Sequence, residues 1–153
     1  MTPPAAPLLP HTRWTRLRTV LNWLNLSTPL GLGLARLGGA RPERHGRGTW
    51  LAGGYRWRFP VAGAFTVGSV VISTHDHAWL RARPVLLQHE DRHVTQYAWL
   101  VGPVMLPFYV VAAGVSWVVA GDHASWNPFE RLAGLADGGY PPATTRRRRR
   151  RGR

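Results

Sequence analysis

From Val94 to Gly121, VTQYAWLVGPVMLPFYVVAAGVSWVVAG, no side chain carries a formal charge. A run of that length can cross a bilayer as one helix, and nothing else in the chain limits its fold as tightly. GPVMLP argues against a straight span. Gly102, Pro103 and Pro107 favour a break and a reversal, because proline removes an intrahelical hydrogen bond and clashes with the preceding turn. The expected shape is an apolar helical hairpin over residues 84–120. At 1.5 Å per residue, a helix over 84–101 runs about 27 Å outward and one over 108–120 about 20 Å back. The rest of the chain has too little apolar surface to cover two such helices on all sides, so membrane attachment is expected. Tyr97, Trp99, Tyr109, Trp117 and Trp126 suit a membrane interface and a protein core equally.

The stretch leading into this run is LLQHEDRHVTQ. Pro84 suits the first turn of its helix, where the missing N–H costs nothing. On that helix His89, His93, Gln96 and Leu100 share one face. Two imidazoles one turn apart can bind the same Zn²⁺, with Glu90 beside them to polarise a metal-activated water. The bland alternative is a polar surface patch in which Glu90 and Asp91 pair with neighbouring arginines. The chain has no cysteine, so any metal must be held by His, Asp or Glu.

Upstream, Tyr55, Trp57 and Phe59 alternate with Arg56 and Arg58, the period of a half-exposed strand. Residues 60–63 supply a turn, and AFTVGSVVI reads as a second, β-branched strand. GGARPERHGRGT, residues 38–49, reads as a loop. The expected class is α+β: a short β-hairpin or sheet, the motif helix, the apolar hairpin and a short C-terminal helix. A strand of the TVG-x-x-I kind followed by H-E-x-x-H-x-x-Q resembles the bacterial minimal zincins, a metallopeptidase-like family. The resemblance covers roughly residues 62–100, with a weaker match at NPFERLAG, residues 127–134. It implies zinc at His89 and His93 and Glu90 as general base, acting on a peptide or protein substrate. Asp91 departs from it, standing where such domains usually carry an apolar residue, and Arg92 follows.

A catalytic zinc needs a third protein ligand and an open position for water. Glu130 is the best candidate, in the first turn of a helix begun by WNPFERLAG, as in the glutamate zincins. Asn127 as N-cap, Pro128 at N1 and Glu130 at N3 also make an ordinary capping pattern without any metal. His123 is next, then Asp122 and Asp137, with His75, Asp76 and His77 upstream; HDH at 75–77 fits a loop or capping cluster better. Gln96 either orients a histidine or packs.

The ends carry other expectations. Residues 1–12 are proline-rich and expected to be disordered, with no cleavable signal peptide. Residues 13–137 form one domain. Trp14, Leu17, Leu21 and Leu24 recur at helical spacing beside Arg13, Arg16 and Arg18; this is a membrane-surface helix or, more commonly, a core helix with a charged outer face. It should stop near LSTPLG, where Pro29 and Gly31 interrupt it. Residues 138–153 read as a disordered linker and Arg-rich tail. The net charge is +13, but seven arginines lie in RRRRRRGR, leaving 13 arginines against seven acids and +6 for the rest. The tail can contact anionic lipid or nucleic acid, although no aromatic-basic recognition module accompanies it. The expected place is the bacterial cytoplasmic membrane or its periphery, with the tail on the cytoplasmic side. The rival to a zinc hydrolase is a noncatalytic membrane-associated protein with an adhesive tail.

Overall fold

A computed structural model describes residues 10–57, 60 and 62–140. The chain is α+β. Helices α1 (Arg13–Leu24) and α2 (Ser27–Leu37) precede strands β1 (Arg41–Gly46), β2 (Thr49–Gly53), β3 (Phe65–Val67) and β4 (Val70–Ile72). Then come α3 (His77–Arg81), α4 (Pro84–Trp99), a 3-10 turn (Gly102–Val104), α5 (Met105–Ala120) and α6 (Pro128–Ala133). The sheet order is β1-β2-β4-β3; only the central β2–β4 pair is parallel.

Alternation along the strands divides the core into two layers. Ala52, Val70 and Ile72 face α2 through Leu32 and Ala35. Leu51 and Val71 face Leu80 of α3 and Leu86 and Leu87 of α4. The sheet is therefore covered on both sides, with α4 lying beside the edge strand β3.

Several sequence expectations are corrected. The first helix does end before LSTPLG, but Pro29 does not stop helix formation. It lies in the first turn of α2, where proline removes no intrahelical bond. Residues 41–46, read as loop, pair with β2. Tyr55 and Trp57 lie outside any strand, and Tyr55 is instead buried with Ala52 and Ile72; Arg58 and Phe59 fall outside the described residues. The single strand read in AFTVGSVVI is a hairpin, with Val67 opposite Val70. Gly68 makes that turn possible. Its φ is 62°, and a Cβ there would meet the Ser27 backbone at 2.3 Å.

The reversal at GPVMLP forms as expected. Val101 and Gly102 adopt φ of 55° and 71°, and Gly102 abuts Asn25, which a Cβ would meet at 2.6 Å. The returning helix starts at Met105 rather than 108, since Pro103 and Pro107 fall in first turns. The helical segment Gly102–Ala120 is long and apolar enough to cross a membrane, and 17% of its apolar window is buried.

Helix α1 is turned the opposite way from an ordinary core helix. Arg18, Asn22 and Thr15 are buried, while Trp14, Leu17, Val20 and Leu24 are exposed. The expected charged outer face is not the one observed, because the polar side chains find partners on α4. Arg18 donates to Asp91 Oδ1 and Oδ2 at 2.7 and 2.8 Å, and Asn22 donates to the Val94 carbonyl at 2.9 Å. The proline-rich N-terminus up to residue 9 and the tail from 141 lie outside the described residues. Beyond residue 137, the Tyr140 N–H donates to the Leu135 carbonyl at 2.8 Å.

Candidate metal centre

All five residues of HEDRH are engaged, each in its own direction. Asp91 holds Arg18 of α1. Arg92 donates to Asp137 at 2.5 Å and to the Ala133 carbonyl, fastening the end of α6 against α4. These are the two departures from the zincin pattern, and both serve as latches on the polar flank of a buried helix. Glu90 is buried and accepts from Thr66 Oγ1 of β3 at 2.7 Å. His89 and His93 face α6. HEDRH is not a surface patch.

Glu130 joins them. His89 Nε2 lies 3.2 Å from Glu130 Oε2 and 3.2 Å from His93 Nε2, and His93 Nε2 lies 3.7 Å from the same oxygen. Donor atoms about 2.0–2.2 Å from a tetrahedral zinc stand about 3.3–3.6 Å apart. Among the described residues this is the one group of three or more such side chains close enough to share an ion.

The hydrogen bonds around the triangle fix what its corners are. His89 Nδ1 lies 3.0 and 3.1 Å from the carbonyls of Gly134 and Ala133. Carbonyls only accept, so Nδ1 carries a proton, and in the neutral ring Nε2 presents a lone pair. Gln96 donates from Nε2 to the Phe129 carbonyl at 3.0 Å, which leaves its Oε1, 2.9 Å from His93 Nδ1, to accept from that ring. In the neutral ring His93 Nε2 is thereby a lone pair too. Glu130 Oε2 is buried without a hydrogen-bond donor, while Oε1 accepts from the Tyr109 hydroxyl. With both imidazoles neutral, three acceptors converge, an arrangement that a proton on an Nε2 or a metal cation neutralises. Burial disfavours a charged His93, but Glu130 and Glu90 outweigh it and raise the pKa of that imidazole above its ordinary range.

The capping alternative for Glu130 does not form. Asn127 caps α6 by accepting from the Phe129 N–H at 3.0 Å, but its own N–H donates to the Ala124 carbonyl rather than to Glu130. The other candidate ligands have other roles. Asp122 accepts from the N–H groups of Ala124 and Ser125, Asp137 pairs with Arg92, and Asp76 caps α3. His77 contacts the Arg41 carbonyl, His75 stacks on Trp79, and His123 lies 3.4 Å from the Tyr140 hydroxyl.

Burial acts alike on the two carboxylates, and their neighbours set them apart. Burial pushes the Glu90 carboxyl above its ordinary range, opposed by His93, the Thr66 hydroxyl and His89 and reinforced by Glu130. Burial acts on Glu130 in the same direction, but His89, His93 and Tyr109 outweigh it and hold that carboxyl below the ordinary range. A carboxyl that binds a proton more readily than usual thus sits beside one that binds it less readily.

Thr66, Tyr109 and Tyr140 have no local signal in the sequence. Tyr109 reaches Glu130 across 21 residues, and Tyr140 packs edge-on to His89 with ring centroids 6.1 Å apart. The apolar return of α5 was the one pointer that residues near 109 come back to the motif. No protein-family model matches the chain, and neither does any curated protein or solved structure.

Proposed function

We propose that this protein is a zinc-dependent, zincin-like hydrolase that cleaves a peptide or another amide and works attached to a membrane. The observation that carries the reading is the triangle of three converging acceptors with both Nδ1 protons committed elsewhere. His89 Nε2, His93 Nε2 and Glu130 Oε2 would hold the metal, which when bound acidifies a water and polarises the scissile carbonyl. Glu90 would take the proton of a water so activated and pass it to the leaving amine; its raised affinity for protons suits both halves of the transfer. The Thr66 hydroxyl fixes Glu90 Oε2, and β3, which carries Thr66, is an edge strand of the sheet. A peptide could add to such an edge by backbone pairing. Gln96 acts through His93 by holding its tautomer. The apolar segment Gly102–Ala120 supports membrane attachment.

The test is stoichiometric metal in purified protein. We expect about one Zn²⁺ per chain, abolished by His89→Ala or His93→Ala and weakened by Glu130→Gln. Glu90→Gln should keep the metal and lose amidase activity by about 10² or more. Full zinc in the histidine variants refutes the centre, and full activity in Glu90→Gln refutes the mechanism.

A further inference from the structure

We infer that α1 and α5 together form an in-plane docking face for an anionic lipid bilayer, so that the protein lies on the membrane rather than spanning it. This deepens the membrane attachment proposed above and does not depend on the hydrolytic chemistry.

Both helices turn apolar side chains outward. On α1, Leu17 and Val20 are 50% and 52% exposed; on α5, Val111 and Val118 are 66% and 73% exposed. Helix α1 packs along the end of α4 and meets the chain reversal from which α5 starts. Trp14 of α1 stacks on Trp99 with centroids 5.5 Å apart, and Gly102 abuts Asn25 at the end of α1. Soluble proteins rarely expose apolar surface on this scale without a partner.

Spanning is disfavoured by what the other side of α5 does. Met105, Ser116 and Ala120 are buried against the body. The Tyr109 hydroxyl binds Glu130, and Ser116 Oγ accepts from the Trp126 N–H at 2.8 Å. A bilayer-crossing α5 would carry the buried carboxylate and histidines into hydrocarbon with it, at several kcal/mol or more. Lying flat costs nothing of the kind. The outward half of each helix enters the headgroup and upper acyl region, to a depth of about 5–10 Å, and the metal centre stays above it.

Charge selects lipid over a second copy of the chain. Residues 13–37 and 94–121 contain no acid, while Arg13 and Arg16 stand exposed beside the apolar face of α1. All seven acids are committed elsewhere: Glu90 and Glu130 in the centre, Asp91, Asp137 and Glu43 to arginines, and Asp76 and Asp122 to backbone N–H groups. A two-fold dimer through this face would set arginine rim against arginine rim with no acid to answer either. Anionic headgroups answer both.

The experiment uses the full chain with phosphatidylcholine vesicles, with and without phosphatidylglycerol, and zinc titration in parallel. We expect binding to the anionic vesicles that rising salt weakens. Tryptophan fluorescence should be quenched best by lipids brominated near the headgroup. Leu17→Glu with Val111→Glu should lower partitioning about tenfold or more, with zinc affinity unchanged. Arg13→Gln with Arg16→Gln should lower it about tenfold on anionic vesicles and little on neutral ones. Val118→Glu repeats the test at the most exposed of these positions, should the double variant fail to fold. Strongest quenching from the bilayer centre, or a discrete dimer that ignores vesicles, overturns the inference. Loss of zinc with vesicle binding intact would refute the hydrolase instead.

Discussion

Helices α4 and α5 are both sixteen residues long and are packed in opposite senses. The first carries His, Glu, Asp, Arg and His in succession and buries His89, Glu90 and His93. The second has no charged side chain and exposes most of its valines. In water the preference would be reversed for both. What separates them is the supply of partners. The polar groups of HEDRH meet matching groups from α1, β3, α6 or the residues just after α6, whereas little protein covers the outer side of α5. Polarity tells which groups need company and says little about where that company is.

The largest effect should come from breaking a latch of α4. Asp91→Ala leaves Arg18, 2% exposed in its side chain, without its carboxylate, and should cost about 3 kcal/mol in denaturant unfolding. Replacing Arg18 by Met in the same chain should recover much of the loss. A cost below about 1 kcal/mol would mean that α1 is not held by its polar face.

Next in size is the tautomer lock. Gln96→Leu removes the acceptor at His93 Nδ1 and should weaken zinc binding about 10- to 100-fold while leaving the fold in place. Unchanged affinity would show that Gln96 only packs.

A smaller effect, of opposite sign, is expected at Glu90. Its folded-state pKa lies above the unfolded value, so its contribution to stability is full in acid and is lost as the pH rises through the folded value. Glu90→Gln does not titrate. The metal-free variant should therefore melt a few degrees above the parent at neutral pH, and the difference should vanish near pH 4. A variant less stable at every pH would contradict the burial argument.

The smallest effect should lie on the outer face of α5. Val118→Ser should change the unfolding free energy of the vesicle-free protein by less than about 0.5 kcal/mol. Ser116→Leu, on the buried side of the same helix, should cost about 1–3 kcal/mol through overpacking. Equal effects would erase the contrast between the two faces.

The motif, the reversal at Gly102 and the convergence on Glu130 were legible because each rests on short-range chemistry: spacing on a helix, proline and glycine, and the need of two histidines for a third ligand. The strand at 41–46 was not, because RPERHG has no apolar alternation and pairs only because β2 offers it a backbone edge. Nor was the inside-out packing of α1. Its spacing marks two faces but cannot say that Arg18 has Asp91 waiting 73 residues away.

The imidazoles owe their orientation to the carbonyls of Phe129, Ala133 and Gly134. Those groups come late in the chain. During synthesis the motif helix exists well before them, with two histidines rotating freely and no third ligand in reach. The triangle can be completed only after α5 has turned back and α6 has docked, so any metal it holds would enter at a late step of assembly. A bound ion would then act as a clasp closed at the end, reporting that the whole chain has arrived.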